Sequence, residues 1–336
     1  MKGTERIMLG HGSGGLLMHE LLEDEIVAAL GRGSIQPDDA AVLPLDGGEV
    51  VFTTDSFVVD PIFFPGGDIG SLSVCGTVND LAVMGAKPLY LSVALILEEG
   101  LPIEDLRRVL RSMRRTADEA GVRIVTGDTK VVPHGSADKL FVTTTGIGLR
   151  LKGLAPSSSR IRPGDALIVS GSLGEHGLAV MLRREGVEFG AEIVSDVASV
   201  FPLVECLKPF GDAIHAIRDP TRGGIASTLN EFASASGCTI EIDEQAIPLR
   251  DDVRGACEIF GFDPLHVASE GKLVLAVAPG NATEVLCTLR SVPLGSNASI
   301  IGTVTDRRTP RVILRTAVGG RRILEMLAGE QLPRIC

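Results

Sequence analysis

The sequence has no tryptophan and a single tyrosine, and its 336 residues include 11 phenylalanines. Aromatic side chains that could stack on nucleic-acid bases are therefore scarce. Basic residues are also in deficit, because 32 lysines and arginines stand against 43 aspartates and glutamates and give a net charge of -11. That charge repels a phosphate backbone. The composition argues against nucleic acid as a partner.

Long apolar runs are missing as well. The longest near-apolar stretch runs from Tyr90 to Leu97, and eight residues are too few to span a bilayer. The first residues lack the apolar segment of a secretory signal. The six cysteines include no Cys-x-x-Cys pair, which is atypical of a zinc site or a disulfide framework. We expect a soluble, cytoplasmic protein with reduced thiols and no membrane partner.

The 44% of hydrophobic residues suffices for two domains of roughly 150 residues. A stretch rich in Pro and Ser after residue 153 separates two periodic regions, which places the domain boundary there. The predicted domains are 1–153 and 154–326, followed by a mobile tail, 327–336, in which Gly329 and Pro333 disfavour a helix. Because helices and strands mix with short connections, we predict an α/β (α+β) architecture of layered sandwiches.

Apolar spacing of three or four residues indicates helices, and β-branched or apolar runs indicate strands. The predicted helices cover 14–30, 69–85, 102–121, 175–185, 196–210, 223–236, 250–260 and 281–291. The predicted strands cover 50–54, 90–97, 122–126, 139–147, 166–170, 239–242, 272–278, 299–304 and 311–315.

Acidic residues recur beside Thr, Gly or Asn at predicted element ends: Asp39, Asp55, Asp80, Asp128 and Asp219. Carboxylates delivered by several loops can hold Mg²⁺ against a polyphosphate, since this cation takes oxygen ligands. Each acid taken alone is more typical of ordinary turn and cap chemistry. The set predicts a cation-dependent phosphate site.

Two glycine-rich segments precede predicted helices. The first spans residues 10–15 and contains Gly12 and Gly14; a dinucleotide site, another phosphate-facing loop and a simple turn all remain open for it. The second, Arg222-Gly223-Gly224, offers an arginine and a helix N-terminus to an anion. The alternative is a helix start with Arg222 in solvent.

Three further residues are candidates for catalysis. Lys130 and Glu270 are isolated ionisable residues in otherwise apolar or small-residue surroundings, and the alternative for both is a solvated strand end. Cys336 is the last residue of the sequence. A thiol on a flexible segment can carry a bound group between sites, although position alone is also compatible with an incidental cysteine.

Motifs along the whole chain resemble those of one family. They are HGSGG at 11–15, DDAAV at 38–42, CGTVNDLAVMGAKP at 75–88, GDTKVV at 127–132, RDPTRGG at 218–224, SEGKL at 269–273 and PRIC at 333–336. Read in order, they are similar to the HypE family of hydrogenase-maturation proteins, within the aminoimidazole-ribonucleotide-synthetase-like (PurM-like) ATP-binding superfamily.

The resemblance implies a homodimer whose first domains share a β-barrel, with a second domain that closes over ATP and Mg²⁺. It implies that metal and phosphates are held by Asp39, Asp55, Asp80 and Asp128, with Asp219 joining from the second domain. The thiol of Cys336 would accept a carbamoyl group from a HypF-type carbamoyltransferase. ATP-dependent dehydration would then give a thiocyanate, whose cyanide passes to iron on a HypC and HypD scaffold. Lys130 and Glu270 would handle protons and orient the tail.

Other readings remain open. One alternative is a small-molecule phosphotransferase or synthetase of the same superfamily, which needs no terminal thiol. Selenophosphate synthetase, another relative, carries a reactive residue in its glycine-rich loop, whereas the first cysteine of this sequence is Cys75. A non-catalytic assembly scaffold would use the tail as a docking peptide. For the dimer, Phe57, Phe63 and Phe64 are the predicted burial points, with a cluster inside one monomer as the alternative.

Overall fold

The computed structural model describes residues 7, 11, 15–27, 39–45, 48–187, 192–306, 309–327, 332 and 334–336. The α-helices are α1 (Leu16–Leu21), α2 (Ile69–Val83), α3 (Ile103–Ala120), α4 (Glu175–Glu185), α5 (Phe201–Leu207), α6 (Gly224–Ser236), α7 (Asp251–Phe260) and α8 (Ala282–Arg290). The strands are β1 (Ala41–Leu45), β2 (Gly48–Phe57), β3 (Phe63–Phe64), β4 (Gly67–Asp68), β5 (Ala86–Glu98), β6 (Arg123–Val132), β7 (Leu140–Arg150), β8 (Ala166–Val169), β9 (Ile214–Arg218), β10 (Thr239–Asp243), β11 (Val274–Val277), β12 (Ser299–Thr305), β13 (Arg311–Arg315) and β14 (Arg321–Leu324).

The first domain is a five-stranded sheet in the order β1-β2-β7-β5-β6. Its pairs are antiparallel except β5 with β6. Helix α2 packs against β2, β7 and β5, and α3 packs on α2. The opposite face carries exposed apolar side chains, including Phe52, Ile147 and Tyr90, which the register aligns in one row. We call this side the open face.

The second domain is a seven-stranded sheet in the order β14-β13-β10-β12-β8-β11-β9. Helix α6 contributes Leu229 and Phe232 to the apolar cluster on one side of it. On the other side α5 contributes Leu203 and α8 contributes Leu289. The sheet is thus covered on both faces, and the predicted mixed α/β architecture in two domains is confirmed.

Helix α2 joins the two domains. The carboxylate of Asp68 caps it, since Oδ1 accepts hydrogen bonds from the backbone nitrogens of Gly70 and Ser71 at 2.8 and 3.0 Å. Near its other end, Asn79 Oδ1 accepts from the nitrogen of Val200, and Nδ2 donates to the carbonyls of Ala198 and Glu270. The next residue, Asp80, is thereby fixed at the domain junction.

Most predicted elements are present, with two instructive differences at helices. The helix predicted at 14–30 begins as α1 and continues as a π-helix from Leu22 to Val27, while 28–30 lie outside the described residues. The helix predicted at 196–210 is the shorter α5, in which Pro202 occupies the first turn, a position where proline's missing N–H is not needed.

The predicted turn at Gly127-Asp128 is wrong, because β6 runs through it. β6 is an edge strand whose residues 123–131 are exposed, and an edge strand tolerates glycine and charged residues. Four further features were not predicted from the sequence: β1, the short β3–β4 hairpin, β9 and β14.

The predicted dimer burial points Phe57 and Phe64 are wrong, since both are buried in the core of the first domain. Phe63 is half-buried beneath the guanidinium of Arg108, 3.9 Å from the ring centre. The alternative, a cluster inside one monomer, is the one observed. Across the described parts of the chain, no helix is both long enough and apolar enough to cross a bilayer.

Candidate active site

Carboxylates from both domains meet at the junction. Asp55 lies near the end of β2, Asp80 near the end of α2 and Asp219 just after β9. Thr53 Oγ1 donates to Asp80 Oδ2 at 2.9 Å and lies 3.1 Å from the carbonyl oxygen of Asp39. The carboxyls of Asp55 and Asp80 are close enough to interact, and this interaction lowers the pKa of Asp55 against the effect of burial. We call Asp39, Asp55, Asp80 and Asp219 the acid cluster.

Burial and mutual repulsion raise the pKa values in the acid cluster. The pKa of Asp80 is well above its usual range because burial, followed by the charges of Asp55 and Asp219, disfavours ionisation. Burial and then Asp39 raise the pKa of Asp219 to about 8. Burial also raises the pKa of Asp55, against the opposing charge of Arg222. A bound cation would relieve this repulsion.

Asp39 is held by an arginine that the sequence did not single out. Arg218, at the end of β9, donates three hydrogen bonds to its carboxylate at 2.7 to 3.0 Å. The same guanidinium bonds to Glu231 on α6. In the sequence, Arg218 was visible only as the first residue of the RDPTRGG motif. Its contact with Asp39 could not be predicted, because the two residues are separated by 179 positions.

Glu270 is buried, in contrast to the alternative of a solvated strand end. Its Oε1 has no hydrogen-bond partner among the described residues. Burial and then the charges of Asp219, Asp196 and Asp55 raise its pKa well above the usual range. The neighbouring Gly271 is required, since a Cβ there would lie 1.9 Å from the carbonyl oxygen of Asp196.

The Arg222-Gly223-Gly224 segment begins α6, as predicted. Gly224 has a φ of +60°, and a Cβ on it would lie 2.6 Å from the carbonyl oxygen of Leu265, so the tight approach needs glycine. Arg222 is exposed. Its charge nevertheless lowers the pKa values of Asp55 and Glu270 against burial, which places it beside both acids.

Asp128 and Lys130 lie apart from the acid cluster within this chain. They form an exposed ion pair on β6, with Nζ 2.6 Å from Oδ2, and the side-chain hydrogen bond to Lys130 is the main reason that the pKa of Asp128 is lowered. The register runs from Asp55 through β7 and β5 to Gly127. Three strand spacings of about 4.8 Å separate β2 from β6 by roughly 14 Å.

Gly12 and Gly14 lie outside the described residues. Within the ranges that the structure describes, no group of three or more His, Cys, Asp or Glu side chains is arranged to hold a metal ion. The assignment of a metal to Asp39, Asp55, Asp80 and Asp128 therefore stays a prediction.

The end of the chain lies against the first domain. Ile335 is buried in the same apolar cluster as Ala268, two residues before Glu270, and the half-buried Cys336 packs against that cluster. The backbone nitrogen of Val58 donates to the carbonyl oxygen of Cys336 at 3.1 Å. The mobility of 327–336 stays a prediction, and the structure gives one position of its end.

Comparison with known proteins first gives the class. Residues 37–150 match the N-terminal domain family of AIR synthase related proteins, and residues 162–315 match the C-terminal domain family. The chain is thus a two-domain protein of the AIR synthase related class.

Full-length relatives give the particular family. The chain is 51% identical to the carbamoyl dehydratase HypE of Rhizobium leguminosarum bv. viciae, over 98% of this chain and 95% of that protein. A crystal structure of HypE in complex with ATP aligns at a TM-score of 0.83 and 48% identity, covering 98% of this chain and 100% of the other. The HypE chain of a HypE–HypF complex aligns at 0.85 and 45%, covering 93% and 100%. The chain belongs to the carbamoyl dehydratase HypE family.

The repulsion within the acid cluster leads to a stability prediction. In EDTA and without nucleotide, Asp80→Asn should raise the melting temperature by about 2–4 °C, the effect of roughly 1 kcal/mol in a chain of this size. The amide keeps the bond from Thr53. It also needs neither a charge beside Asp55 and Asp219 nor the proton uptake on folding that a raised pKa imposes at neutral pH. Thermal unfolding measures it, with the exposed Asp128→Asn as the control that changes little. A lower melting temperature for Asp80→Asn contradicts the argument.

Proposed function

We propose that this protein dehydrates an S-carbamoyl group on Cys336 to a thiocyanate at the expense of ATP, supplying cyanide for the iron of a [NiFe]-hydrogenase. One observation carries the proposal. The residue that pairs with Cys336 is Val58, which follows the strand that carries Asp55. The thiol is therefore held beside the end of the strand that contributes to the acid cluster.

The acid cluster fits a divalent cation on the triphosphate of ATP. Its oxygens are the ligands that Mg²⁺ prefers, and burial followed by neighbouring acids raises the pKa values of Asp80 and Asp219, an effect that a bound cation would oppose. Arg222, beside Asp55 and Glu270, adds a guanidinium for phosphate oxygens. A bound Mg²⁺ would neutralise charge on the transferring phosphoryl group.

The chemistry balances in two steps. The carbamoyl oxygen attacks the γ-phosphorus of ATP, the bond to ADP breaks, and the nitrogen loses one proton. The carbon–oxygen bond then breaks, phosphate leaves, and loss of the second nitrogen proton completes the C≡N bond. Phosphorylation turns the poor leaving oxygen into a good one, so catalysis is mainly positioning and charge neutralisation.

Glu270 is the proposed proton acceptor. Burial beside other carboxylates raises its pKa, which makes its ionised form a stronger base than a solvated glutamate. Its Oε1 is without a partner among the described residues and is available to a substrate N–H. Lys130 is proposed to orient the tail or the phosphate from another copy of the chain.

A homodimer would bring Asp128 and Lys130 to a site. Both residues are exposed on β6, and Asp128 is paired in register with Ala94 of the open face. Covering the exposed apolar side chains of that face is favourable. We propose that two open faces pack together into a shared barrel, so that these residues serve the acid cluster of the second copy.

The remaining partners follow from the reaction. A HypF-type carbamoyltransferase would load Cys336, as the HypE–HypF complex of a relative suggests, and a HypC and HypD scaffold would receive the cyanide. The free thiol that the reaction needs persists in the reducing cytoplasm.

The reaction can be followed on the terminal peptide by mass spectrometry. With HypF and a carbamoyl donor, the wild-type peptide should gain a carbamoyl group and then, only with hydrolysable ATP, lose one water mass. Cys336→Ala should bind ATP but gain nothing, whereas Glu270→Gln and Lys130→Ala should gain the group and stall. The matched control is Cys287→Ala, which removes an exposed cysteine. Carbamoylation of another cysteine, or dehydration without ATP, would leave the docking-peptide scaffold as the explanation.

Nucleotide affinity tests the metal assignment. Asp80→Ala and Asp128→Ala should each weaken MgATP binding at least tenfold, about 1.4 kcal/mol, by isothermal titration. Asp118→Ala, which breaks an exposed ion pair with Arg114 on α3, should bind normally. Unchanged affinity in both test variants removes the two residues from the site.

The dimer is tested by sedimentation velocity at micromolar concentration. The wild type should sediment as a dimer and Ile147→Glu as a monomer, because the change puts a charge in the middle of the open face. Ile259→Glu, on exposed surface of α7, should remain dimeric. A monomeric wild type contradicts the shared barrel.

A further inference from the structure

Two side chains of α4 hold the end of the chain by its backbone. His176 Nε2 lies 2.7 Å from the carbonyl oxygen of Ile335. Arg184 Nη2 donates to the carbonyl oxygen of Arg334 at 2.7 Å. Both contacts use a group that every residue carries, so they do not depend on the side chains at the chain end.

The segment after β2 completes this hold. The backbone nitrogens of Val58 and Asp60 donate to the carbonyls of Cys336 and Arg334, each at 3.1 Å, in the manner of a strand added to a sheet. All three of the last carbonyls thus have donors. Arg334 has a φ of +52°, a conformation that residues other than glycine adopt under constraint.

The hydrogen-bond network fixes the tautomer of His176. The carbonyl oxygen of Ile335 can only accept, so the ring proton is on Nε2. In the neutral ring Nδ1 then accepts from the hydroxyl of Ser195, 2.8 Å away, and Ser195 Oγ in turn accepts from the nitrogen of Val197. Phe64 packs edge-on against the ring, and burial lowers the pKa of His176, which favours the neutral ring that this arrangement needs.

We propose that His176 and Arg184 are positioning residues. They hold Cys336 against the first domain, in the position seen in this structure, whichever group is attached to its sulphur. The second half of this statement rests on the proposed function, in which the sulphur is successively a thiol, a carbamoyl thioester and a thiocyanate. The carbonyls that α4 binds are unchanged through those forms. Loss of the contacts from α4 should therefore make Cys336 more accessible to solvent.

Alkylation of the free enzyme tests the hold without nucleotide or partner. Iodoacetamide labelling, followed by peptide mass, should modify Cys336 more slowly than the exposed Cys287. Arg184→Ala and His176→Ala should raise the Cys336 rate at least fivefold and leave the Cys287 rate unchanged. His176→Gln should restore slow labelling in part, because its amide nitrogen can donate to Ile335.

The matched control is Arg183→Ala, which removes an exposed arginine from the same helix and should leave both rates at the wild-type value. A Cys336 labelling rate in Arg184→Ala equal to that of the wild type overturns the proposal. If His176→Ala does not fold, the comparison of Arg184→Ala with the wild type is the deciding one.

Turnover separates positioning from a general structural role. In a single turnover of carbamoylated enzyme, Arg184→Ala should slow dehydration at least fivefold with unchanged MgATP affinity and undiminished carbamoyl acceptance. Weakened MgATP binding would overturn the positioning role. Absence of dehydration in the wild type would count against the proposed function and leave the labelling result standing.

Discussion

Repulsion among buried and half-buried carboxylates is the constraint around which the two domains are organised. Asp55, Asp80, Asp219 and Glu270 come from both domains, and burial followed by the charges of neighbouring acids raises their pKa values. Loss of hydration makes such an arrangement unfavourable by itself. Neighbouring groups hold the acids in place. The side-chain amide of Asn79, next to Asp80, makes three hydrogen bonds to the backbone of the second domain. Stability is thereby given up at the place where a cation and phosphates would restore it.

The sequence predicted what is local and missed what is long-range. Helix α4 has the predicted bounds, because its apolar spacing and the glycine after it are signals within a few residues. The Arg218–Asp39 contact spans 179 residues, and no local pattern encodes it. The acids themselves were found because chemistry limits which residues can bind a cation. Their convergence needed the fold, which assembles the acids of four separate segments and leaves Asp128 on a distant strand.

The exposure of β6 explains why the sequence predicted Asp128 at the end of a strand, although it lies within one. Glycine and aspartate are typical of turns, yet Gly127 and Asp128 lie in the middle of β6. A strand whose residues 123–131 are exposed can accommodate them. The open face beside it is not uniformly apolar, because Thr54 and Thr145 pair across it through their hydroxyls, 3.0 Å apart. Apolar rows with polar pairs between them suit a specific partner surface better than nonspecific association. The second copy proposed above is one such partner.

The chain end contacts the segment that directly follows the strand of Asp55, which couples the positions of the two. Asp55 belongs to β2, and Val58, which bonds to Cys336, comes three residues later. At about 3.3 Å per residue, the two points are roughly 10 Å apart along the chain direction. Shifting the register of β2 would move the acid and the docking position of the thiol together. In the proposed reaction, His176 and Arg184 would therefore place Cys336 relative to the same strand that carries Asp55.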